Sequence, residues 1–332
     1  MDEPSPDLFL DAALGYQKTA AIKAAIALDL FTALAEEDGN AERVASRTKA
    51  SSRGVRIICD YLTVHGFLTK DGTRYRLTPS TSIFLTTTSP AWMGSVVDFL
   101  ASPEMMNLWS EDPAGFVQNG GSVGLGSVAP DHPMWVTFAK AMVPFMAPVT
   151  HGVVAEVTKW PTAPKRILDV AAGHGMFGIT LAQALPQAQV AAIDWQHVLE
   201  VARENAQRAG VADRYMIIPG NAFEVEWDAG HDLVLLTNFL HHFDHETCVS
   251  LLRKARSSLA AGGHVLAVEF VPNEDRVSPP FPAMFSFMML GSTPKGDAYT
   301  EREFEQMGRT AGFQEVSFAS LPPTSQTVVT FA

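Results

Sequence analysis

Apolar and polar positions change rhythm twice along the chain, dividing it into three stretches. From about Asp7 to Leu34, DLFLDAALGYQKTAAIKAAIALDLFTAL is alanine-rich and apolar on more than one face, with few breakers. A helix of that kind is buried against another helix, of the same chain or of a partner chain. NAERVASRTKA then predicts a short helix, SSRGVRIICDYLTVHGFL a longer one capped near Ser51 or Ser52, and TKDGTRYRLT a hairpin turning at Asp71-Gly72. Helix, helix, hairpin is the outline of a winged helix.

Between Pro90 and Pro161 the rhythm differs. A glycine-rich loop, NGGSVGLGS at 119–127, precedes HPMWVTFAKAMVPFMAPVTHGVVAEV, a helical stretch rich in Met and aromatics. Trp135, Phe138, Met142 and Phe145 recur there at three- and four-residue spacings and share a helix face. That face is either core packing or the wall of a pocket for an aromatic molecule, where adaptable Met and flat rings fit.

From Lys165 onward strands and helices alternate. The pattern predicts strands near Arg166–Val170, Gln189–Asp194, Tyr215–Pro219, Asp232–Leu236 and His264–Phe270. It predicts helices over Met176–Leu185, Gln196–Ala209 and His245–Leu259, the last capped by Asp244 and stopped by AAGG. Such alternation means a parallel sheet covered on both faces, to which GFQEVSF and QTVVTFA add a late antiparallel hairpin.

Composition narrows this picture. A chain of 332 residues suits two domains. Charged residues at 18% and hydrophobic ones at 47% describe a folded, core-rich protein. The net charge of -12 argues against a general binder of nucleic acid or anionic membrane, since both require a basic surface. Residues 1–90 carry 10 Lys and Arg against 11 Asp and Glu, a net of -1, and the would-be recognition helix offers only Arg53 and Arg56. The winged helix therefore reads as structural or dimerising, with a DNA-binding regulator as the rival. Cys59 and Cys248 alone support neither a disulfide framework nor a cysteine-rich zinc module. The acidic start MDEPSPDLFLDAALG lacks a secretory layout, and no run approaches the roughly 18 apolar residues of a membrane span. A cytoplasmic protein is expected.

Chemistry enters at ILDVAAGHGMFG, residues 167–178, with G-x-G-x-x-G at Gly173, Gly175 and Gly178. Any ligand that approaches a strand-to-helix turn closely wants glycine there, so the spacing alone does not separate a nicotinamide nucleotide from other ligands. Asp194, closing the second strand, can accept from both ribose hydroxyls of either. Asp169, four residues before Gly173, sits inside a strand where it can hold an ammonium directly or through water. NAD has no such group. In PGNAFE, Asn221 and Phe223 offer an adenine one amide partner and one aromatic face.

With these residues in place, the segment Ile167–Phe270 resembles the class I S-adenosylmethionine-dependent methyltransferases. The whole chain is similar to small-molecule O-methyltransferases with an N-terminal dimerisation domain of winged-helix type, the plant phenolic and bacterial polyketide enzymes. The motifs that carry the resemblance are LDVAAGHG, Asp194, GNAF and NFLHHFDHE, in that order. It implies an α/β Rossmann-like domain with a mostly parallel seven-stranded sheet and a C-terminal antiparallel hairpin. The division it suggests is a dimerisation domain over 1–100, a helical connector to the substrate pocket over 101–160, and a methyltransferase domain over 161–332. A homodimer is implied, with S-adenosylmethionine as cofactor, no metal, and an aromatic or polyketide-like acceptor. Trp195 and Asn238 join Asp169, Gly173, Gly175, Asp194, Asn221 and Phe223 on the cofactor side.

The residues themselves place three histidines, His241, His242 and His245, after the fourth strand without choosing a base among them. His241 and His245 share a helix face, yet no H-E-x-x-H is present and no third metal ligand is evident. The family motif of Leu-His-Asp-Trp type aligns with Leu240, His241, His242 and Phe243 and puts the catalytic histidine at His241. Glu269 can fix its tautomer. A second family acid, in a Gly-x-Glu-Arg-Thr segment, aligns with Ala298 in PKGDAYT, leaving Asp297 one residue away as its substitute from a shifted loop, or the histidine held on one side.

Similarity places Phe138 and Met142 at the acceptor, with Met288, Met289 and Thr293 on the opposite wall. Phe145, where some relatives are polar, suggests an apolar acceptor. Proteins of this shape also use the same cofactor site for decarboxylation or hydroxylation, so the cofactor motif leaves non-methylating chemistry open, beside the nicotinamide oxidoreductase and the regulator.

Overall fold

The first apolar stretch breaks into three helices, α1 (Asp7–Ala13), α2 (Gly15–Ala27) and α3 (Leu30–Glu36), in a computed structural model that describes residues 4–123 and 131–332. The break before α3 falls at Asp29, in the left-handed region at φ 48°; a short polar side chain tolerates that conformation better than most. Burial differs along the stretch. Leu30, Phe31 and Leu34 of α3 are core, whereas α1 has no buried residue and exposes Leu8 and Phe9.

Asn40 caps α4 (Ala41–Thr48) by accepting from the amides of Glu42 and Arg43, and Ser51 caps α5 (Ser52–Val64) by accepting from Gly54 N. The hairpin of β1 (Leu68–Asp71) and β2 (Arg74–Leu77) pairs Asp71 with Arg74. Its turn is therefore Gly72-Thr73, one residue later than expected, with Gly72 at φ +58°. After α6 (Pro79–Leu85) and α7 (Val96–Leu100), this unit, Met1–Met105, gives way along α8 (Pro103–Ser110) to a second, Met106–Ala332. Nearly all of the stretch expected as a connector, 101–160, belongs to the second unit.

In that unit α9 (Pro113–Asn119) precedes the glycine-rich segment, of which residues 124–127 lie outside the described ones. The helix α10 (Pro133–Val157) is long and apolar enough, by length and composition, to cross a membrane, which corrects the expectation that no such run exists. Its Met146, Val149, Val153 and Val157 are buried in the core beside residues of the next two helices; apolarity on all sides also marks a helix packed inside a domain.

Seven strands follow: β3 (Arg166–Val170), β4 (Gln189–Asp194), β5 (Tyr215–Pro219), β6 (His231–Thr237), β7 (Leu259–Glu269), β8 (Val316–Ser320) and β9 (Thr327–Phe331). Their order is β5-β4-β3-β6-β7-β9-β8; the first five run parallel, and β9 is antiparallel to both neighbours. The strand period of two divides the core. Ile167 and Leu233 face the layer of α10, α11 (Met176–Ala184) and α12 (Gln196–Arg208), while Leu168 and Val234 face α13 (His245–Ser258) and α15 (Glu301–Ala311), which follows α14 (Pro280–Ser292).

One sequence signal misleads. Ala260–Gly263 does not stop a helix; α13 ends at Ser258, and the AAGG residues lie within β7, beside a register shift between His231 and Leu233. The glycines serve an irregular strand there, since a Cβ on Gly263 would stand 2.7 Å from His231 O.

Candidate active site

The strand order reverses its direction of growth between β3 and β6, and ligands of open α/β sheets bind at that crevice. The turns after these two strands build the two halves of the site.

After β3, Gly173 and Gly175 adopt φ +56° and +75°, which favour glycine. A Cβ on Gly175 would stand 2.5 Å from Tyr215 Oη, and one on Gly178 2.7 Å from Val190 Cγ1 and 2.9 Å from Asp169 Oδ2. Gly178 thus lets α11 lie close to the sheet. Between the glycines, His174 Nδ1 accepts from Met176 N at 3.1 Å, and burial pushes its imidazole down to about 4. A neutral ring is required there, because only a bare nitrogen accepts from an amide.

Asp194 braces the turn from β4: Oδ2 accepts from Gly173 N at 2.8 Å and Oδ1 from Trp195 N at 2.7 Å, with burial raising its carboxyl. Each oxygen keeps a lone pair for a hydroxyl. Trp195 packs with Trp135 and Val136 around Ala139, Val198 and Val201, so one acceptor-wall candidate and one cofactor candidate share a cluster. Asp169 is fully buried. Its Oδ2 accepts from Gly178 N at 3.1 Å, Oδ1 has no partner among the described residues, and burial pushes the carboxyl up to about 7, with Asp194 adding to the rise. A carboxyl in that position gains from a positive charge brought near it. After β5, Asn221 is engaged with its own turn, accepting from Phe223 N and donating to Glu224 Oε1, both at 3.0 Å. Phe223 is 45% exposed and packs edge-on against Phe243.

After β6, Asn238 is held at φ +51°; Oδ1 accepts from Gln326 Nε2 at 2.5 Å and Nδ2 faces Met146 Sδ at 3.5 Å. A single 3-10 turn, Leu240–His242, then buries His241. Its Nδ1 lies 2.5 Å from Glu269 Oε2, at the end of β7, while Glu269 Oε1 accepts from Phe239 N at 3.1 Å and Leu240 N at 2.9 Å. A carboxylate only accepts, so Nδ1 carries the hydrogen and Nε2 keeps the basic lone pair. The imidazole is clasped by the His242 ring, stacked at 4.4 Å, and by Phe285, edge-on at 4.9 Å.

Asp297 is engaged away from the histidine: its carboxylate takes Arg276 at 3.3 Å and Ala298 N at 2.8 Å, while Ala298 is buried, and Glu269 is the carboxylate that meets His241. His245 opens α13, and among the described residues no group of three or more His, Cys, Asp or Glu side chains is arranged to hold a metal. On α10, Phe138, Met142 and Phe145 are half-buried. On α14, Met288 is half-buried, whereas Met289 and Thr293 are buried and the Thr293 hydroxyl bridges Met289 O and Gly296 N. Phe285 escaped the sequence reading, although its spacing from Met288 and Met289 marks the same face.

Comparison with known proteins gives the class. Residues 128–314 match the O-methyltransferase domain and residues 10–87 the O-methyltransferase dimerisation domain. The chain belongs to the S-adenosylmethionine-dependent small-molecule O-methyltransferases. It is 29% identical over 324 residues, 94% of this chain and 90% of the other, to 3-hydroxy-5-methyl-1-naphthoate 3-O-methyltransferase of Streptomyces sahachiroi. The crystal structure of an O-methyltransferase candidate from Nostoc punctiforme PCC 73102 superposes with a TM-score of 0.94 at 44% identity, covering 99% of both chains. Human N-acetylserotonin methyltransferase, in complex with S-adenosylmethionine, has the same fold at a TM-score of 0.83 and 22% identity, with 99% of this chain and 98% of that one covered. The orphaned Asp169 oxygen and the braced Asp194 suit that cofactor's ammonium and ribose.

Proposed function

We propose that the protein methylates a hydroxyl of a small, largely apolar aromatic or polyketide-like molecule, with His241 as the base. The observation that carries this reading is the pair of Glu269 and His241, which leaves a basic Nε2 at the ligand end of the sheet.

When bound, S-adenosylmethionine supplies a methyl group made electrophilic by its sulfonium. Asp169 would hold the ammonium of that ligand and Asp194 its ribose hydroxyls, with Phe223 and Asn221 on the side of its adenine. A phenol of pKa about 10 is mostly protonated at neutral pH, so a base that takes its proton contributes about 10²- to 10⁴-fold. His241 Nε2 takes that proton, and Glu269 stabilises the imidazolium that results. Phe285, Phe138, Met142, Phe145 and Met288 exclude water, which favours an attack that destroys charge. The first unit, with Leu8, Phe9, Leu14 and Tyr16 exposed, serves a homodimer.

Transfer of labelled methyl to a panel of phenols tests the base. The expected result is activity in wild type and a loss of about 10²-fold or more in His241→Ala; equal activity in both removes His241 from the mechanism.

A further inference from the structure

Lys254 lies in the third turn of α13 and turns inward. Its Nζ donates to three backbone carbonyls of one short loop: Ala222 O at 2.9 Å, Phe223 O at 3.1 Å and Val225 O at 2.9 Å. The same ammonium stands 4.9 Å from the centroid of the Trp227 ring, and Trp227 Nε1 donates to Ala222 O at 3.0 Å. All three ammonium hydrogens therefore have carbonyl acceptors. Burial lowers the Lys254 pKa, opposed by the charge of Glu226. A lysine is ordinarily a solvated surface charge. One committed to a single loop fixes that loop.

The loop is the one that carries Asn221 and Phe223. Phe223 packs against Phe239 and Phe243, at centroid distances of 6.4 and 5.2 Å, and those two rings flank the turn of His241. Directly after Phe243 comes Asp244, the N-cap of α13, whose Oδ1 accepts from Thr247 N at 2.9 Å. The helix α13 is thus anchored at its start to the base-bearing turn and, about 15 Å along its axis, to the loop after β5.

We infer that Lys254 is a positioning residue for the cofactor: it locks the loop of residues 221–225 to α13 and so registers the adenine-facing side chains against the turn of His241. The inference rests on the adenine-side assignment of Asn221 and Phe223. Registration matters because in-line displacement loses about 10²-fold for a misplacement of about 1 Å.

Calorimetric binding of S-adenosylhomocysteine and steady-state kinetics with Lys254→Met, Lys254→Gln, Phe223→Ala and the Lys254→Met/Phe223→Ala pair test it. Lys254→Met is expected to weaken S-adenosylhomocysteine about tenfold and raise the S-adenosylmethionine KM in parallel, with the acceptor KM unchanged. Lys254→Gln, which keeps two N–H donors, falls between it and wild type, and the double variant loses less than the product of the single losses. Folded Lys254→Met with an affinity within twofold of wild type overturns the proposal, as do multiplicative losses in the pair or failure of both Lys254 variants to fold. The two layers separate cleanly: unchanged affinity in Phe223→Ala removes the adenine assignment and the proposal with it, whereas weakening in Phe223→Ala beside an unchanged Lys254→Met removes the role of Lys254 alone.

Discussion

Two carboxylates near the ends of the parallel strands on either side of β6, Asp169 in β3 and Glu269 in β7's last position, are equally buried, yet they are finished to different degrees. Glu269 has every bond it needs from the protein: one from His241 Nδ1 and two from the amides of Phe239 and Leu240. Asp169 has a single amide and an oxygen without a partner among the described residues. The half proposed to hold the base is complete without ligand, whereas the half proposed to hold the cofactor carries an uncompensated group that a cation would complete. Burying a charge without a partner is costly, so such a group in a folded chain marks a place where function opposes stability.

The largest effect is expected where the network is complete. In Glu269→Gln the amide oxygen can still accept from the two backbone amides, but its NH₂ then faces Nδ1 and donates to it, moving the imidazole hydrogen to Nε2. That tautomer has no lone pair for the acceptor hydroxyl. We expect kcat to fall about 10³- to 10⁴-fold while S-adenosylhomocysteine affinity is retained. A kcat within tenfold of wild type breaks the assignment of Glu269 as the tautomer-fixing group.

Asp169→Asn is expected to act in opposite directions on stability and binding. In the folded chain the carboxyl titrates near 7 against 3.8 as its ordinary value, so the native state holds the proton more tightly. Its contribution to stability is present in full below pH 4 and is lost as pH rises through 7. The substitution removes that loss, so the variant's advantage should grow with pH and reach about 4 kcal/mol at pH 8 in the absence of ligand. Affinity for S-adenosylhomocysteine should fall about tenfold, as for loss of a charged partner. Thermal melts from pH 5 to pH 8 with and without ligand check both signs. A variant that melts below wild type at pH 8 contradicts the uncompensated charge.

What could be read from sequence follows the same division. The half proposed for the cofactor is local: Asp169, Gly173, Gly175 and Gly178 lie within ten residues, and the turn they form is written in spacing and in strand-to-helix alternation. The pairing of His241 with Glu269 spans 28 positions and depends on the parallel register that sets Thr237 beside Val268, which no local pattern contains. His241 itself came from family resemblance, because three histidines stand in one short run and only the fold shows which of them meets a carboxylate. Lys254 was illegible for a different reason: a lysine in an amphipathic helix normally faces water, and the three carbonyls that capture it belong to a loop about thirty positions away. The AAGG misreading has a related cause, since glycines that end helices also mark irregular strands, and the choice was made by β6.

The smallest effect is expected at Asp297, which the family resemblance offered as one of two ways to complete the histidine's surroundings. Asp297 is 39% exposed at its side chain and takes an equally exposed Arg276, which also reaches Glu303 at 2.6 Å. Exposed ion pairs contribute about 0 to 1 kcal/mol, and Arg276 keeps Glu303 when Asp297 is removed. Asp297→Ala should therefore leave kcat within about twofold and lower stability by less than about 1 kcal/mol. Ala298→Glu sharpens the same point, because the buried pocket of that alanine has no room for a carboxylate without rearrangement, so restoring the family's acid should destabilise the chain by about 1 to 3 kcal/mol without raising kcat. A large loss of kcat in folded Asp297→Ala, or a gain in Ala298→Glu, would mean that the imidazole is held from both sides during turnover, and the one-sided clamp of Glu269 would be only its resting arrangement.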